Sequence, residues 1–443
     1  MSATPALDRD LAELAAGLPG DALVTDPAVL ARHRRDAGPT APAGTPRALA
    51  RPCDVAQVRH VLRWASRTGT PVVPQGARAG HAGGANAVDG AVLLSLAGLD
   101  RILEIDGDDR LVRCQAGVGT AALARAVAAR GLWCPTGPDE AATVGGTLAT
   151  GGNCCAGATD VLGLTAVLAD GSVTHARPGG DLLGLLVGSE GTLGVIVEAT
   201  LALRPTPTPA RALLARFGTV YAAGTAVAEI LAAGHTPSLL DLLDRTATAA
   251  VAGRPGSAAR AEVVLVVAGD PAVGGDDVAL MAKLCERAGA VGVRVAGDAD
   301  ENRRLHDVPL RVAAWARAGG TLLGDLTVPR SRLTALLEAV GGLADHHDVP
   351  VGTVAHAADG TAHPAFGFDP ADPDSVARAR LCHDAVLDVA VDLGGSVVGG
   401  HGVGRLKRDR LAGELDPAAP LLRRGIRRLL DPVGVLNPGA GLG

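Results

Sequence analysis

The sequence predicts an α+β protein built in two main parts. Three glycine-rich stretches interrupt strand-like segments in the first half, and apolar strands alternate with Ala-rich helices in the second. The first pattern ends at Pro205, Pro207 and Pro209, which predict a linker. We therefore expect an N-terminal segment over 1–42, a first domain over 43–208, a second domain over 209–402, and a C-terminal segment over 403–443 that returns to the first domain.

Composition narrows the class of protein. Of 443 residues, 47% are hydrophobic and 20% charged, so a globular fold is expected. The net charge of −6 argues against nucleic acid or an anionic membrane as the main partner. No apolar run approaches the ~20 residues that span a bilayer, and the N-terminus lacks a signal core. These features predict a cytoplasmic protein without membrane insertion. The seven cysteines fit no zinc spacing.

Residues 47–95 predict a β-α-β unit. A strand near 47–51 is followed by a helix capped by Asp54, and then by strands at 71–74 and 91–96. The loop between the last two strands is unusually rich in glycine, with Gly76, Gly80, Gly83 and Gly84. Such a loop turns tightly or approaches a ligand closely, and a diphosphate held by backbone N–H groups is one reason. Because a strand follows it, the loop fits neither a Walker A motif nor GxGxxG, and a plain surface turn fits equally well.

Two further glycine-rich stretches follow, at 135–153 and 184–205. Between them, residues 161–176 predict a hairpin with its turn at Asp170-Gly171. Three separate glycine-rich turns on one scaffold indicate a long, extended ligand.

These segments resemble a known family. PVVPQGARAGHAGG, CPTGPDEAATVGGTLATGG, LLVGSEGTLGVIVEATLALRP, AHAADGTAHP, GGHGVG and DPVGVLNPG stand in the order found in the p-cresol methylhydroxylase / vanillyl-alcohol oxidase superfamily of flavoproteins. The match is nearest to its branch of FAD-linked glycolate oxidases and D-lactate (D-2-hydroxy acid) dehydrogenases. The resemblance implies a two-part FAD-binding domain with a Gly-rich diphosphate loop, plus an antiparallel-sheet cap domain covered by helices over the reacting face of the flavin.

The resemblance also implies which residues bind FAD. The diphosphate loop would supply Pro74, Gly76, Ala77, Arg78, Ala79, Gly80 and His81. The other stretches would line or support the cofactor with Pro135, Gly145, Gly146, Ala149, Gly152, Gly188, Glu190, Gly191, Gly194, Val195 and Ile196. Asn437 would lie near the isoalloxazine. Covalent attachment through His81 is an alternative, although the family's linking histidine lies about two positions earlier, where this chain has Ala79.

The sequence departs from the family at the expected chemistry. The first active-site motif keeps its two histidines, His356 and His363, around an Asp359-Gly360 turn, but the second has Gly400 where relatives have a metal-binding Glu. The replacement removes the only anionic ligand that the motif offers. We therefore expect no metal, with zinc held by His356, His363 and His401 as the alternative.

Candidate roles follow from side-chain chemistry. His401 lies between glycines, and a neutral imidazole there can accept the proton of a substrate hydroxyl. We interpret the glycines as a sign that His401 reaches into an open site. His356 and His363 are expected to bind substrate. Arg304 and Arg311 resemble the segment in which relatives place a carboxylate-binding Arg, but a solvated arginine-rich helix face explains them equally well.

The expected function is FAD-dependent oxidation of a hydroxyl-bearing carbon, with a 2-hydroxy acid as the small-molecule substrate by family default. The alternatives are a sugar or biosynthetic alcohol oxidised without metal, and a redox-silent flavin-binding subunit. An electron acceptor, which could be O₂, is also required. A homodimer is compatible with the sequence.

Overall fold

The computed structural model describes residues 9–135, 141–151, 160–206, 210–252, 262–269, 277–317 and 320–441. The chain divides into two compact units. Unit 1 contains Met1–Thr206 and Gly400–Gly443, and unit 2 contains Pro207–Gly399. The sequence placed the corresponding boundaries after residues 208 and 402. Across the described residues, no helix is both long and apolar enough to cross a membrane.

Unit 1 contains two sheets and a two-stranded ribbon. Its strands are β1 Leu23–Val24, β2 Ala48–Ala50, β3 Val72–Gln75, β4 Val92–Ser95, β5 Ile102–Asp106, β6 Leu111–Gln115, β7 Leu132–Trp133, β8 Val161–Val167, β9 Val173–Ala176, β10 Val195–Ala202 and β11 Arg204–Pro205. The first sheet has the order β1-β2-β4-β3, in which β4 is parallel to β2 and to β3. The second is antiparallel, with the order β5-β6-β10-β8-β9.

Unit 1 also contains helices on both sides of the domain boundary in the chain. They are α1 Arg9–Ala16, α2 Pro27–His33, α3 Val55–Thr68, α4 Thr120–Ala128, α5 Val144–Thr150, α6 Asp181–Leu186, α14 Arg408–Glu414 and α15 Ala418–Leu430. The Asp54 side chain accepts a hydrogen bond from the Gln57 N–H and begins α3, and Gly69 ends it in the left-handed conformation. Apolar residues of α3, including Trp64, are buried in the unit's main core together with residues of both sheets.

Unit 2 is built on one antiparallel sheet. Its strands are β12 Ala212–Phe217, β13 Leu239–Leu243, β14 Val263–Ala268, β15 Gly292–Val295, β16 Thr321–Leu323, β17 Leu326–Thr327, β18 Val351–His356 and β19 Thr361–Gly367. The strand order is β15-β12-β14-β13-β18-β19-β16, and β17 also pairs with β19. The helices are α7 Val220–Ala232, α8 Arg245–Val251, α9 Asp277–Arg287, α10 Ala299–His306, α11 Val308–Arg317, α12 Leu333–His347 and α13 Pro373–Asp392.

One face of this sheet packs against α8 and α11. Leu243 of β13 and Val354 of β18 are buried there with Val308 and Val312. Because side chains alternate along a strand, residues two positions away from Leu243 and Val354 point to the same face as these two residues. This alternation places Asp241 and His356 on that face.

The sequence predicted most of these elements. The β-α-β unit, the Asp54 cap and the hairpin turning at Asp170-Gly171 are confirmed. Two features differ. The second glycine-rich stretch contains a short helix, α5, which Thr143 caps through the Gly146 N–H. The arginine-rich helix of unit 2 is two helices, α10 and α11, which meet beside Pro309.

Candidate functional site

The first glycine-rich loop (residues 76–86) offers unused backbone donors. Within the described part of the chain, the N–H groups of residues 77–80 meet no acceptor. Arg78 has a positive φ of 59°, which turns the backbone there. Gly76 approaches Thr143 so closely that a Cβ would lie 2.2 Å from the threonine Oγ1. The loop therefore holds several N–H groups ready for an anion, beside the first turn of α5.

Buried polar side chains fix both ends of this loop. The amide of Gln75 donates to the carbonyls of His33 and Ala85, both at 2.8 Å. The Asn86 Oδ1 accepts from the Asp36 N–H at 2.7 Å. Gln75 and Asn86 are almost completely buried. Sequence reasoning missed both anchors, because their partners lie up to 50 residues away along the chain.

Asp36 connects the N-terminal segment to the same loop. Its carboxylate accepts from the N–H groups of Gly38 at 3.0 Å and Gly83 at 2.8 Å. Burial raises the pKa of Asp36 to about 6, although these N–H groups and the charges of Arg405 and Arg35 act in the opposite direction.

The second glycine-rich stretch is held by close backbone packing. A Cβ on Gly145 would lie 2.5 Å from the Ala116 Cβ, and one on Gly151 would lie 2.7 Å from the Gly188 Cα. Ala149 is partly buried against the core. The predicted cofactor residues Pro135, Gly145, Gly146 and Ala149 lie in the described part of unit 1, whereas Gly152 lies outside the described residues.

The third stretch packs onto the end of α5. The N–H groups of Gly188 and Glu190 donate to the carbonyls of Leu148 and Ala149 at 2.9 and 2.8 Å. Gly191 has a positive φ of 72°, and its Cα lies against the predicted residue Pro74. Three more predicted residues begin or precede β10 and belong to its packing, namely Gly194, Val195 and Ile196.

The Glu190 carboxylate holds the GHGVG segment. It accepts from the N–H of Val403 at 2.6 Å and from that of Gly404 at 2.9 and 3.0 Å. Burial raises the pKa of Glu190, while the Gly404 and Val403 N–H groups and the charge of Lys407 lower it. A Cβ on Gly402 would lie 2.5 Å from the Glu190 Oε1. The carboxylate thus fixes the residues directly after His401.

Arg405 and Asn437 complete this network. The Arg405 guanidinium donates to the carbonyl of Gly83 at 2.6 Å and to the Asn437 Oδ1 at 3.1 Å. Both amide hydrogens of Asn437 are used, by the carbonyls of Gly84 at 2.8 Å and Glu190 at 2.7 Å. The Asn437 amide therefore joins three loops and has no N–H left for a ligand, and its expected place near the isoalloxazine stays a prediction.

His401 is half-buried on the segment that this network holds. Its ring centroid lies 6.3 Å from that of His81, in the first glycine-rich loop. The neighbouring Gly402 and Gly404 have positive φ, and a Cβ on Gly404 would lie 2.0 Å from the Ala82 carbonyl oxygen. Close packing on Glu190 and on the loop therefore accounts for Gly402 and Gly404 by itself, and the expectation that His401 reaches into an open site stays a prediction.

Unit 2 brings His356 and His363 together. The two strands pair around the predicted Asp359-Gly360 turn, and the ring centroids lie 5.1 Å apart. The His356 Nδ1 lies 2.8 Å from the Oδ1 of Asp241, which is buried on the neighbouring β13. The His363 Nδ1 lies 3.4 Å from the Oδ1 of Asp325, which is also buried. Each histidine therefore faces its own carboxylate.

The Asp241 contact changes the acidity of His356. Burial alone would lower its pKa, but the hydrogen bond and charge of Asp241, with the charges of Asp359 and Asp325, raise the pKa above the usual imidazole value. The contact also favours a proton on Nδ1, which directs Nε2 away from the carboxylate.

These carboxylates change one premise of the expectation that no metal binds, namely that no anionic group lies near the histidines. The motif itself lost its acidic group at Gly400, yet Asp241 and Asp325 lie beside the two histidines. For Asp241, the only sequence signal was one acidic residue inside an apolar strand, LLDLL. Its place beside His356, 115 residues away, depends on the register of the sheet.

The two predicted substrate arginines are both exposed. Arg304 lies on α10 and Arg311 on α11. The Arg311 guanidinium donates to the Val251 carbonyl at 2.7 Å, at the end of α8. Arg311 therefore helps to hold two helices together, and the substrate roles of Arg304 and Arg311 stay predictions.

Family models match both units. Residues 46–177 match the model described as an FAD binding domain, and residues 206–440 match that of FAD linked oxidases, C-terminal domain. The chain belongs to the FAD-linked oxidase family. It is an FAD-dependent oxidoreductase, which confirms the family and the cofactor expected from the sequence.

Individual relatives agree along most of the chain. The glycolate oxidase subunit GlcD of Escherichia coli is 34% identical, with 88% of this chain and 82% of that protein covered. The D-lactate dehydrogenase of Archaeoglobus fulgidus is 31% identical, with 90% of this chain and 93% of that protein covered. Among solved structures, p-cresol methylhydroxylase superposes with a TM-score of 0.78 at 16% identity, covering 97% of this chain and 96% of that one. This structural likeness confirms the predicted two-part α+β fold.

The residues of unit 1 fit FAD. The N–H groups of residues 77–80 would be available to the diphosphate of bound FAD, and the absent Cβ atoms at Gly76 and Gly145 let Thr143 and Ala116 pack closely against the backbone there.

Proposed function

We propose that this enzyme oxidises the hydroxyl-bearing carbon of a 2-hydroxy acid. The two relatives named for glycolate and D-lactate support this substrate class. FAD supplies, when bound, the acceptor for the hydride that leaves the carbon. The observation that carries the proposal is the attachment of the His401 segment to the first glycine-rich loop through Arg405 and to the third glycine-rich stretch through Glu190.

His401 takes the hydroxyl proton in this proposal. Loss of that proton must accompany loss of hydride from the same C–OH group, and a neutral imidazole accepts it near neutral pH. The chain directly after His401 is fixed twice, by the Glu190 carboxylate on Val403 and by Arg405 donating to the Gly83 carbonyl. A base held in this way loses little freedom when substrate binds.

His356 binds the anionic group of the substrate in unit 2. Its raised pKa increases the imidazolium fraction at neutral pH, and Asp241 orients the ring so that Nε2 can donate. His363, oriented by Asp325, is the second donor. Asp241 and Asp325 are positioning residues, since they act through the histidines.

Reduction of the bound flavin by candidate substrates tests the function directly. The purified protein should carry noncovalent FAD that acid releases, and anaerobic glycolate or D-lactate should bleach its absorbance. The matching compounds without a hydroxyl, acetate and propionate, should not. Bleaching by sugars but by no 2-hydroxy acid would move the enzyme to the alcohol alternative. FAD that no hydroxylated compound reduces would make it a redox-silent subunit.

Three finer points also remain proposals. The Escherichia coli relative is named as a subunit, which supports transfer of electrons to a separate acceptor. A homodimer and a cytoplasmic location are the expectations from the sequence.

A further inference from the structure

The C-terminal helix α15 has two chemically distinct sides. Its sequence AAPLLRRGIRRLL contains four arginines and no acidic residue. At about 100° per residue, the aliphatic side chains occupy one half of the helix surface and the arginines the other half. The contrast with the rest of the protein is local, because the whole chain has a net charge of −6.

Contacts within unit 1 fix which side of α15 faces outward. The Arg427 guanidinium donates to the Leu436 carbonyl at 2.7 Å, and Ile426 and Leu430 are half-buried. These three residues turn one strip of the helix toward the unit. No residue of the helix is buried.

The opposite strip exposes leucine and arginine together. Leu421, Leu422 and Leu429 are 64%, 67% and 81% exposed, and Arg424 and Arg428 are exposed beside them. Together with Val433, these leucines make up four of the eleven exposed large apolar side chains in the described part of the chain, within 13 residues. Single exposed leucines are common on soluble proteins, but a cluster of this kind marks an interaction surface.

We propose that the exposed strip of α15 binds the surface of an anionic lipid bilayer. An interfacial helix inserts its apolar side chains among the acyl chains while its arginines contact lipid phosphates. Arg424 and Arg428 flank the leucines, and their long side chains can reach the headgroup level. The helix would lie in the plane of the interface without crossing the bilayer.

Charge argues for lipid over a second copy of this chain. A symmetric dimer through α15 would bring the same arginines of two chains together, and like charges repel. The chain just before α15, residues 400–417, adds little, since its four Lys or Arg and three Asp or Glu give a net charge of +1. Residues 400–430 contain eight Lys or Arg and three Asp or Glu, so this part has a net charge of +5. The expectation against an anionic membrane was based on the net charge of the whole chain. That average does not show the positive charge of this segment.

Vesicle flotation of the full-length, FAD-loaded protein tests the proposal. Vesicles of equal parts phosphatidylglycerol and phosphatidylcholine should bind the protein, and pure phosphatidylcholine vesicles should not. High salt should release it, because screening weakens attraction to a charged surface. The variant Leu421→Ser/Leu422→Ser/Leu429→Ser and the variant Arg424→Glu/Arg428→Glu should each lower the vesicle affinity tenfold or more, since one basic residue contributes about fivefold.

Matched controls use exposed residues elsewhere. Leu381→Ser is on α13 and Arg125→Glu on α4, and neither should change vesicle binding. Flavin absorbance and melting temperature should stay unchanged in all variants, because every substituted side chain is exposed. Equal binding to neutral vesicles, no binding to anionic ones, or full binding by the α15 variants would overturn the proposal. A change from dimer to monomer in the α15 variants, without lipid binding, would assign the strip to a second copy.

Discussion

The two histidine regions of this protein are held in different ways. In unit 1, buried polar groups bind the backbone around His401: Glu190 accepts from Val403 and Gly404, and Arg405 donates to Gly83. In unit 2, a buried carboxylate binds the imidazole of His356 itself. The first arrangement fixes the backbone that carries His401. The second acts on the side chain and raises the pKa of His356, which suits an anion-binding group.

The largest effect on stability is expected when a methyl group is added at Gly404, three residues after His401. Gly404 has φ of 55°, and a Cβ there would lie 2.0 Å from the Ala82 carbonyl oxygen. Gly404→Ala should lower the free energy of unfolding by about 2–5 kcal/mol and weaken FAD binding. Gly425→Ala is the matched control: it lies in α15 with open space around it, and should stabilise by about 0.5–1 kcal/mol. Equal denaturation midpoints for both variants would refute the packing.

A smaller loss of stability is expected when Glu190 is replaced by alanine. Glu190→Ala leaves the N–H groups of Val403 and Gly404 without their acceptor, which should reduce the free energy of unfolding by about 1–3 kcal/mol. Glu190→Gln retains one acceptor oxygen and should lose less. Chemical denaturation and FAD titration measure both effects. The exposed Glu13→Ala is the control, and a Glu190→Ala variant that behaves like it would contradict the account.

The Asp241–His356 pair should give a pH-dependent contribution to stability. The folded-state pKa of His356 is raised, so its contribution is complete below the unfolded value of about 6.5 and is lost as pH rises through the folded value. Asp241→Asn should therefore cost most at low pH, at most about 1 kcal/mol because the imidazole is 41% exposed and screened by solvent. The exposed Asp300→Asn should show no such window. A cost that is independent of pH from 5 to 8, a range of roughly the imidazole titration, would contradict the pairing.

Chelation should have the smallest effect. Gly400 offers no side-chain ligand at the position where the family motif has Glu. Dialysis against a chelator should leave flavin reduction within error of the untreated enzyme. Stoichiometric metal by elemental analysis, with activity lost on chelation and restored by zinc or manganese, would show that the carboxylates of Asp241 and Asp325 support a metal site instead.

Local patterns could be predicted from the sequence, and contacts between distant strands could not. The Asp54 cap and the Asp359-Gly360 turn depend on neighbours within a few residues, so the sequence was sufficient. Helix α5 was missed because Gly145 and Gly146 disfavour a helix, whereas close packing on Ala116 requires a residue without a side chain. Asp241 could not be assigned to His356 without the register of β13 and β18.

Flavin reduction in His401 variants tests the central claim most directly. Anaerobic stopped-flow measures the step in which the substrate loses its proton and hydride, independently of the electron acceptor. His401→Ala and His401→Gln should keep FAD bound and slow reduction by about 10²–10⁴-fold. They should also lose the decline in rate that the wild type shows as pH falls through the imidazole pKa. His356→Ala should instead mainly raise the substrate concentration needed for half-maximal reduction. A His401→Ala enzyme that reduces its flavin within about threefold of the wild-type rate, below the range of a positioned base, would contradict the account and move the base to unit 2.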